Sequence, residues 1–260
     1  MTTAFATSGK VKLHYVDEGE GEPSFVFVHG WCCDHTFFEP QFTSFKRSHR
    51  AVALDLRGCG RSERPNSGYD IPTFADDLAG LCHELGVTKP VIVGHSLGGM
   101  IGVELAARYP ALPKAVVAVD PGPLAATPEA RAVFASLITQ LEGPDGEAVR
   151  EAYVTALFDA HDDLDRRRRI TETMCSVPMP VAISVMRGVV DWNGLGALLL
   201  CQVPLLVLRS RTGGSNDPAR LLALKPDVQI AVTVGAGHFH QLEVPEQVTP
   251  MIARFVSTLG

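Results

Sequence analysis

The sequence predicts an α/β architecture, a mostly parallel sheet with helices on both faces, interrupted by one inserted helical segment. Three observations predict it. Short apolar, β-branched runs alternate with stretches of helical periodicity, the pattern of strands buried on both faces and joined by crossover helices. A G-x-S-x-G motif, Gly94-His95-Ser96-Leu97-Gly98, stands where one such run gives way to helix-forming residues. Residues 121–192 carry no strand pattern at all. At 260 residues, 46% hydrophobic and 20% charged, the chain has enough apolar material for one large core.

In chain order, strands are expected over 11–16, 24–28, 51–55, 90–94, 115–119, 203–208 and 228–234, each a run such as Phe25-Val26-Phe27-Val28 or Ala115-Val116-Val117-Ala118-Val119. Helices are expected over 37–47, 72–85, 97–108, 216–224 and 245–258, with Asp70 to Thr73 and Pro245 as start signals. The stretch from Pro121-Gly122-Pro123 to about Trp192 holds periodic apolar residues in four expected helices near 128–142, 145–160, 163–175 and 179–190. The core is therefore read as 1–120 plus 193–260, with 121–192 as a separable insertion. No internal repeat or low-complexity tract is seen.

The strand Val91-Ile92-Val93 running into Gly94-His95-Ser96-Leu97-Gly98 predicts a tight strand-to-helix turn with Ser96 strained and exposed at its tip. The helix starting at Leu97 aims unpaired N–H groups and the positive end of its dipole at the place where an oxyanion would form. Phe25-Val26-Phe27-Val28-His29-Gly30-Trp31 is a strand ending in His-Gly, which makes the Trp31 N–H a second oxyanion donor. Two further landmarks are Asp55-Leu56-Arg57-Gly58-Cys59-Gly60-Arg61-Ser62 and Val234-Gly235-Ala236-Gly237-His238-Phe239-His240, the latter followed by Glu243, Pro245 and Glu246.

At these residues the chain resembles the α/β-hydrolase superfamily, from about Val11 to its end. The resemblance implies that the insertion is a helical cap, or lid, over the active site. It also implies that His238 is the catalytic base, in the order Ser, acid, His. His240 is then a pocket or supporting residue, and His29 and His95 orient loops. For the acid, the loop from Leu205 to Asp217 departs from the usual G-x-x-D pattern, and its only carboxylate, Asp217, serves equally well as a helix N-cap before Pro218. Asp120, after Val116-Val117-Ala118-Val119, is a position used by some branches of the superfamily and is favoured over Asp217. The site read from the sequence is thus Ser96, His238 and Asp120, with Trp31 and Leu97 as oxyanion donors and Gly30, Cys32, Phe37, Met186, Trp192 and Phe239 as substrate-binding residues.

A formal net charge of −6 offers no electrostatic reason for a nucleic-acid or anionic-membrane partner. The run Arg166 to Arg169 is preceded by Asp162, Asp163 and Asp165, so a self-paired, solvated helix face is expected there. Met1 to Lys10 lack an apolar signal core and no apolar run approaches membrane-span length, so a cytoplasmic protein is expected. Cys32, Cys33, Cys59, Cys82, Cys175 and Cys201 show neither a paired framework nor metal-ligand spacing and are expected to be thiols. No metal, no phosphate-cradling loop and no cofactor is expected. A serine at position 96 cannot supply the carboxylate chemistry of the haloalkane dehalogenases and epoxide hydrolases that share this fold. The substrate expected is a small to medium apolar ester or lactone. A cofactor-free dioxygenase of the same fold and a ligand-binding receptor on a hydrolase scaffold are the alternatives.

Overall fold

The computed structural model describes residues 3–9, 11–210 and 216–259. Eight strands form one sheet: β1 (Thr3–Ser8), β2 (Val11–Glu18), β3 (Phe25–Val28), β4 (Ala51–Leu54), β5 (Val91–His95), β6 (Ala115–Val119), β7 (Leu205–Arg209) and β8 (Gln229–Val232). Their order across the sheet is β1-β2-β4-β3-β5-β6-β7-β8. The β1/β2 and β2/β4 pairs are antiparallel, and every pair from β4/β3 to β7/β8 is parallel.

The eleven described helices are α1 (Glu39–Phe45), α2 (Ile71–Glu84), α3 (Leu97–Arg108), α4 (Pro128–Leu141), α5 (Gly146–Thr155), α6 (Leu164–Ser176), α7 (Met179–Asp191), α8 (Gly194–Leu200), α9 (Pro218–Leu224), α10 (His240–Glu243) and α11 (Pro245–Val256). Strand alternation sorts the core into two layers. Ile92, Val116, Ala118, Leu205 and Val207 join α2, α3 and the inserted helices on one face. Val91, Val93, Val117, Val119, Leu206 and Leu208 join Phe42 and Phe45 of α1 and Val248, Ile252 and Phe255 of α11 on the other. Every residue of β3, β4, β5 and β6 is buried, which is why these strands read as continuous apolar runs.

Four elements differ from expectation. β1 is an additional edge strand, hidden in the sequence because Phe5 stays 48% exposed while Ala6 is buried. α8 fills the stretch just after the insertion, capped by Asn193, whose side chain accepts from the Gly196 N–H. The expected helix over 37–47 is a short 3-10 turn, His35–Phe38, followed by α1, and a separate turn of helix, α10, precedes α11.

α4 to α7 follow one another without an intervening strand. The Trp31 indole N–H holds them through the Ala182 carbonyl of α7 at 2.9 Å, and further bonds fasten them elsewhere. The Trp192 indole N–H donates to Glu104 Oε2 of α3 at 2.7 Å, and Arg131 of α4 donates to the Trp192 carbonyl at 2.8 Å. On the far side, Arg166 bridges Asp162 and the Leu242 carbonyl, at 2.7 and 2.8 Å. The basic run is mostly self-paired, as Arg166 binds Asp162, Arg168 binds Asp165 at 3.0 Å, and Arg167 lies over the Phe158 ring. Among the described residues, no single helix is long and apolar enough to cross a membrane.

Candidate active site

β5 ends at His95 and α3 begins at Leu97, so Ser96 must turn the chain alone, and it does so at φ 52°, ψ −111°. A non-glycine residue in this region is strained, and here the surroundings hold it. The Ser96 N–H donates to the Val119 carbonyl at 2.9 Å, and its own carbonyl accepts from Gly99 and Gly122 at 3.1 and 3.2 Å. A side chain at Gly98 would strike the Val28 carbonyl, and one at Gly94 would strike Gly98, so only glycine lets the turn pack this closely. Ser96 occupies the N-cap position without using its side chain as a cap. Its hydroxyl is thus left to the cavity that it lines together with Trp31, Leu97, Asp120 and His238.

His238 Nδ1 lies 2.7 Å from Asp120 Oδ2. Burial opposes ionisation of Asp120, but the hydrogen bond and charge of His238, with His240 and the Ser210 N–H, overcome it and hold the carboxyl at about 2. An ionised Asp120 makes Nδ1 the donor and leaves the Nε2 lone pair of a neutral His238 for another proton. Ser210 completes the carboxylate's shell, its N–H on Oδ1 at 3.0 Å and its hydroxyl on Oδ2 at 3.1 Å. Asp120 itself is held at φ 40°, its N–H on the Leu208 carbonyl at 2.7 Å.

The backbone of His238 is gripped from both sides. Its N–H donates to the Leu157 carbonyl of the inserted segment at 2.9 Å, and its carbonyl accepts from His95 Nε2 at 2.9 Å. Glu243 clamps the flanking peptides, accepting the Gly237 N–H at 2.8 Å and the Phe239 N–H at 3.0 Å. The neighbouring histidines are poor proton carriers. Burial, reinforced by His238, drives His95 well below its ordinary value, and burial lowers His240 to about 4. His29 is fully buried, bonded to the Gly30 carbonyl and accepting the Leu56 N–H.

The cavity measures about 180 Å³, small beside typical ligand clefts of roughly 300–1,000 Å³. Its apolar wall comes from Met100 of α3 and from the inserted residues Phe134, Leu157, Met186 and Val189. Tyr153 of α5 lines it too, edge-on to the Trp31 ring at 5.7 Å, with its phenol pushed up to about 12 by burial.

Of the residues read from sequence, Ser96, His238, Asp120, Trp31, Leu97 and Met186 line this cavity, and Phe239 lines a small recess beside it. Four substrate-binding expectations are corrected. Trp192 is 5% exposed and spends its indole N–H on Glu104 instead of facing the cavity. Phe37 is buried against the Phe239 ring, and Cys32 is buried in the core while Cys33 reaches the recess. Gly30 lies close against His95 and Ser96 and is not among the residues that line the cavity. His240 is buried on Thr233, at 2.9 Å from its hydroxyl, and does not line the cavity. Asp217 caps α9, accepting from the N–H groups of Ala219 and Arg220 at 3.2 Å. The part of its loop from 211 to 215 lies outside the described residues. Sequence reasoning missed Ser210, Tyr153, Arg209 and the clamping role of Glu243.

A second histidine–aspartate cluster, His14, His35 and Asp55, has ligand-type atoms all within 4.8 Å of one another, although its sequence spacing conceals it. Both Asp55 oxygens are already taken. Oδ1 accepts from His35 N and Nδ1, and Oδ2 from His14 Nδ1 and the Arg61 N–H, so the cluster is a hydrogen-bond hub.

Comparison with known proteins gives a consistent picture. The 2-(acetamidomethylene)succinate hydrolase of Mesorhizobium japonicum is 29% identical over 259 residues, 95% of this chain and 92% of that one. A thermophilic esterase from Thermogutta terrifontis superposes with a TM-score of 0.86 at 25% identity, covering 100% of this chain and 99% of the other. An enol-lactonase from Burkholderia xenovorans has the same fold, with a TM-score of 0.86 at 22% identity over 98% of this chain and all of that one. The model of the Alpha/beta hydrolase family matches residues 25–250, and the chain belongs to that family.

Proposed function

We propose that the protein is a serine hydrolase cleaving a carboxylic ester or lactone of small to medium size through Ser96, His238 and Asp120. The observation that carries this reading is the 2.7 Å contact between His238 Nδ1 and the Asp120 carboxylate, on a histidine that lines one cavity with a strained serine. The His238 Nε2 lone pair takes the Ser96 proton as Oγ adds to the substrate carbonyl carbon. The resulting oxyanion is received by the N–H groups of Trp31 and Leu97, the latter at the positive end of α3. The imidazolium, stabilised by Asp120, hands its proton to the leaving oxygen as the carbonyl re-forms and the C–O bond breaks. Water, deprotonated by the same nitrogen, then adds to the acyl-enzyme and releases the acid and free Ser96.

The inserted helices act as the cap that supplies the apolar wall. In this reading a small-molecule substrate is the partner, no metal or cofactor takes part, and the protein is cytoplasmic. The names of two relatives, an esterase and a 2-(acetamidomethylene)succinate hydrolase, support a hydrolase activity. Initial rates of wild type and Ser96→Ala on short and medium aryl esters and on γ- and δ-lactones test it. Activity lost in the variant is the expected result, and its rank order separates esterase from lactonase. Equal rates in both proteins, or none in either, would overturn the proposal and make oxygen uptake the next assay.

A further inference from the structure

β7 ends in a cation. Along this strand Leu205 and Val207 face the layer of the inserted helices, and Leu206 and Leu208 face the opposite layer. Alternation therefore turns Arg209 toward the layer of the inserted helices, and Arg209 is among the residues that line the cavity with Ser96 and His238. The strand end is pinned, because the Arg209 carbonyl accepts the Thr233 N–H at 2.9 Å. Among the described lining residues the other formal charge is Asp120, and that carboxylate is committed to His238 and Ser210. The residues that the inserted segment adds to the lining include Phe134, Leu157, Met186 and Val189, which are apolar. The cavity lining thus combines one cationic residue with an apolar wall, and the serine belongs to the same lining.

A guanidinium presents five donors in a fixed fork, enough to hold a carboxylate through two parallel bonds while keeping another contact. In a small, partly enclosed, mostly apolar space such a bond gains strength from the low dielectric. Resting on the hydrolase reading above, we propose that Arg209 recognises a free carboxylate on the substrate. The substrate class is then a short ester or lactone with an apolar body and one anionic end, the apolar body lying against the inserted helices. Arg209 would be a specificity-determining residue for that class.

The test uses two matched ester pairs: mono-4-nitrophenyl glutarate against 4-nitrophenyl valerate, and 4-carboxyphenyl valerate against phenyl valerate. Arg209→Gln is expected to lower kcat/KM for the carboxylated member of at least one pair tenfold or more beyond its effect on the neutral member, mainly through KM. Arg209→Lys should recover part of that ratio. Unchanged ratios in both pairs would overturn the proposal, as would a wild-type preference for both neutral esters. Calorimetric titration of Ser96→Ala with monobenzyl glutarate reads the contact without turnover. Binding that weakens at least tenfold on adding Arg209→Gln keeps the carboxylate assignment even if no ester is hydrolysed, a result that would sink only the hydrolase reading. Equal binding by both proteins sinks the carboxylate assignment alone.

Discussion

Among the described residues two buried aspartates grip histidines, and one of the two pairs lines a cavity with Ser96. Asp120 receives His238 Nδ1 at 2.7 Å plus two donors from Ser210. Asp55 receives two imidazoles, His14 and His35, each at 2.8 Å, plus the N–H groups of His35 and Arg61. In both, burial resists ionisation and histidine and backbone donors outweigh it, so both carboxyls sit below the usual range. The pair alone therefore does not make a catalytic site. His238 lines a cavity beside Ser96, whereas His14 is 1% exposed and its Nε2 is buried without a hydrogen-bond partner. One cluster lines a cavity, and the other ties β2, β4 and the loops after β3 and β4 together.

The largest expected effect breaks the first cluster. Asp120→Asn should lower kcat by about 10⁴-fold with the fold intact, because an amide no longer enforces the Nδ1–H tautomer. Circular dichroism and initial rates check both halves. Asp55→Ala should do the reverse. Stranding two histidines and two N–H groups should cost about 3–5 kcal/mol in urea unfolding, with kcat per folded molecule held within about threefold. A kcat loss as large as that of Asp120→Asn would end the distinction. Glu243→Gln keeps the size of the clamp but removes its charge and one acceptor, for about 1.5–3 kcal/mol of stability and roughly a tenfold loss in kcat with KM held. Rates and unfolding on one preparation would show whether the clamp serves the histidine or only the loop.

The effect with the least bearing on turnover is a slope. His240 has a folded value of about 4 against an ordinary 6.5, so the unfolded chain binds its proton first as the pH falls. Stability contributed by the neutral form is full above about pH 6.5 and declines toward pH 4, by up to about 1.4 kcal/mol per pH unit for one proton. His240→Gln should flatten the fall in Tm over that window. Asp120 acts lower, where stability present above about pH 4 is lost as the pH falls through about 2.

The parallel strands were legible because burial on both faces leaves no room for polar residues in them. β1 was not, since an edge strand needs only one apolar face and Phe5 is spent on solvent and the His14 ring. α8, Gly-Leu-Gly-Ala-Leu-Leu-Leu, was not legible either, since two glycines in seven residues weaken a helical pattern that packing against α3 sustains. Ser96 and His238 sit next to strand ends and carry their own punctuation. Ser210 carries none, and it meets Asp120 only because β6 and β7 are sheet neighbours. Helical periodicity in the insertion marks which face is covered, without saying by what. So Trp192, a large aromatic at its boundary, reads as a pocket wall, while its N–H is an anchor on Glu104.

The hydrogen bond from His238 N–H to the Leu157 carbonyl joins the insertion to the loop that carries the candidate base. Leu157 also lines the cavity, so one residue of the inserted segment both walls the space beside Ser96 and holds the peptide that carries the imidazole. A change in that wall is therefore a change in the seat of His238, and residues of the insertion far from Ser96 in sequence bear on the geometry of the site.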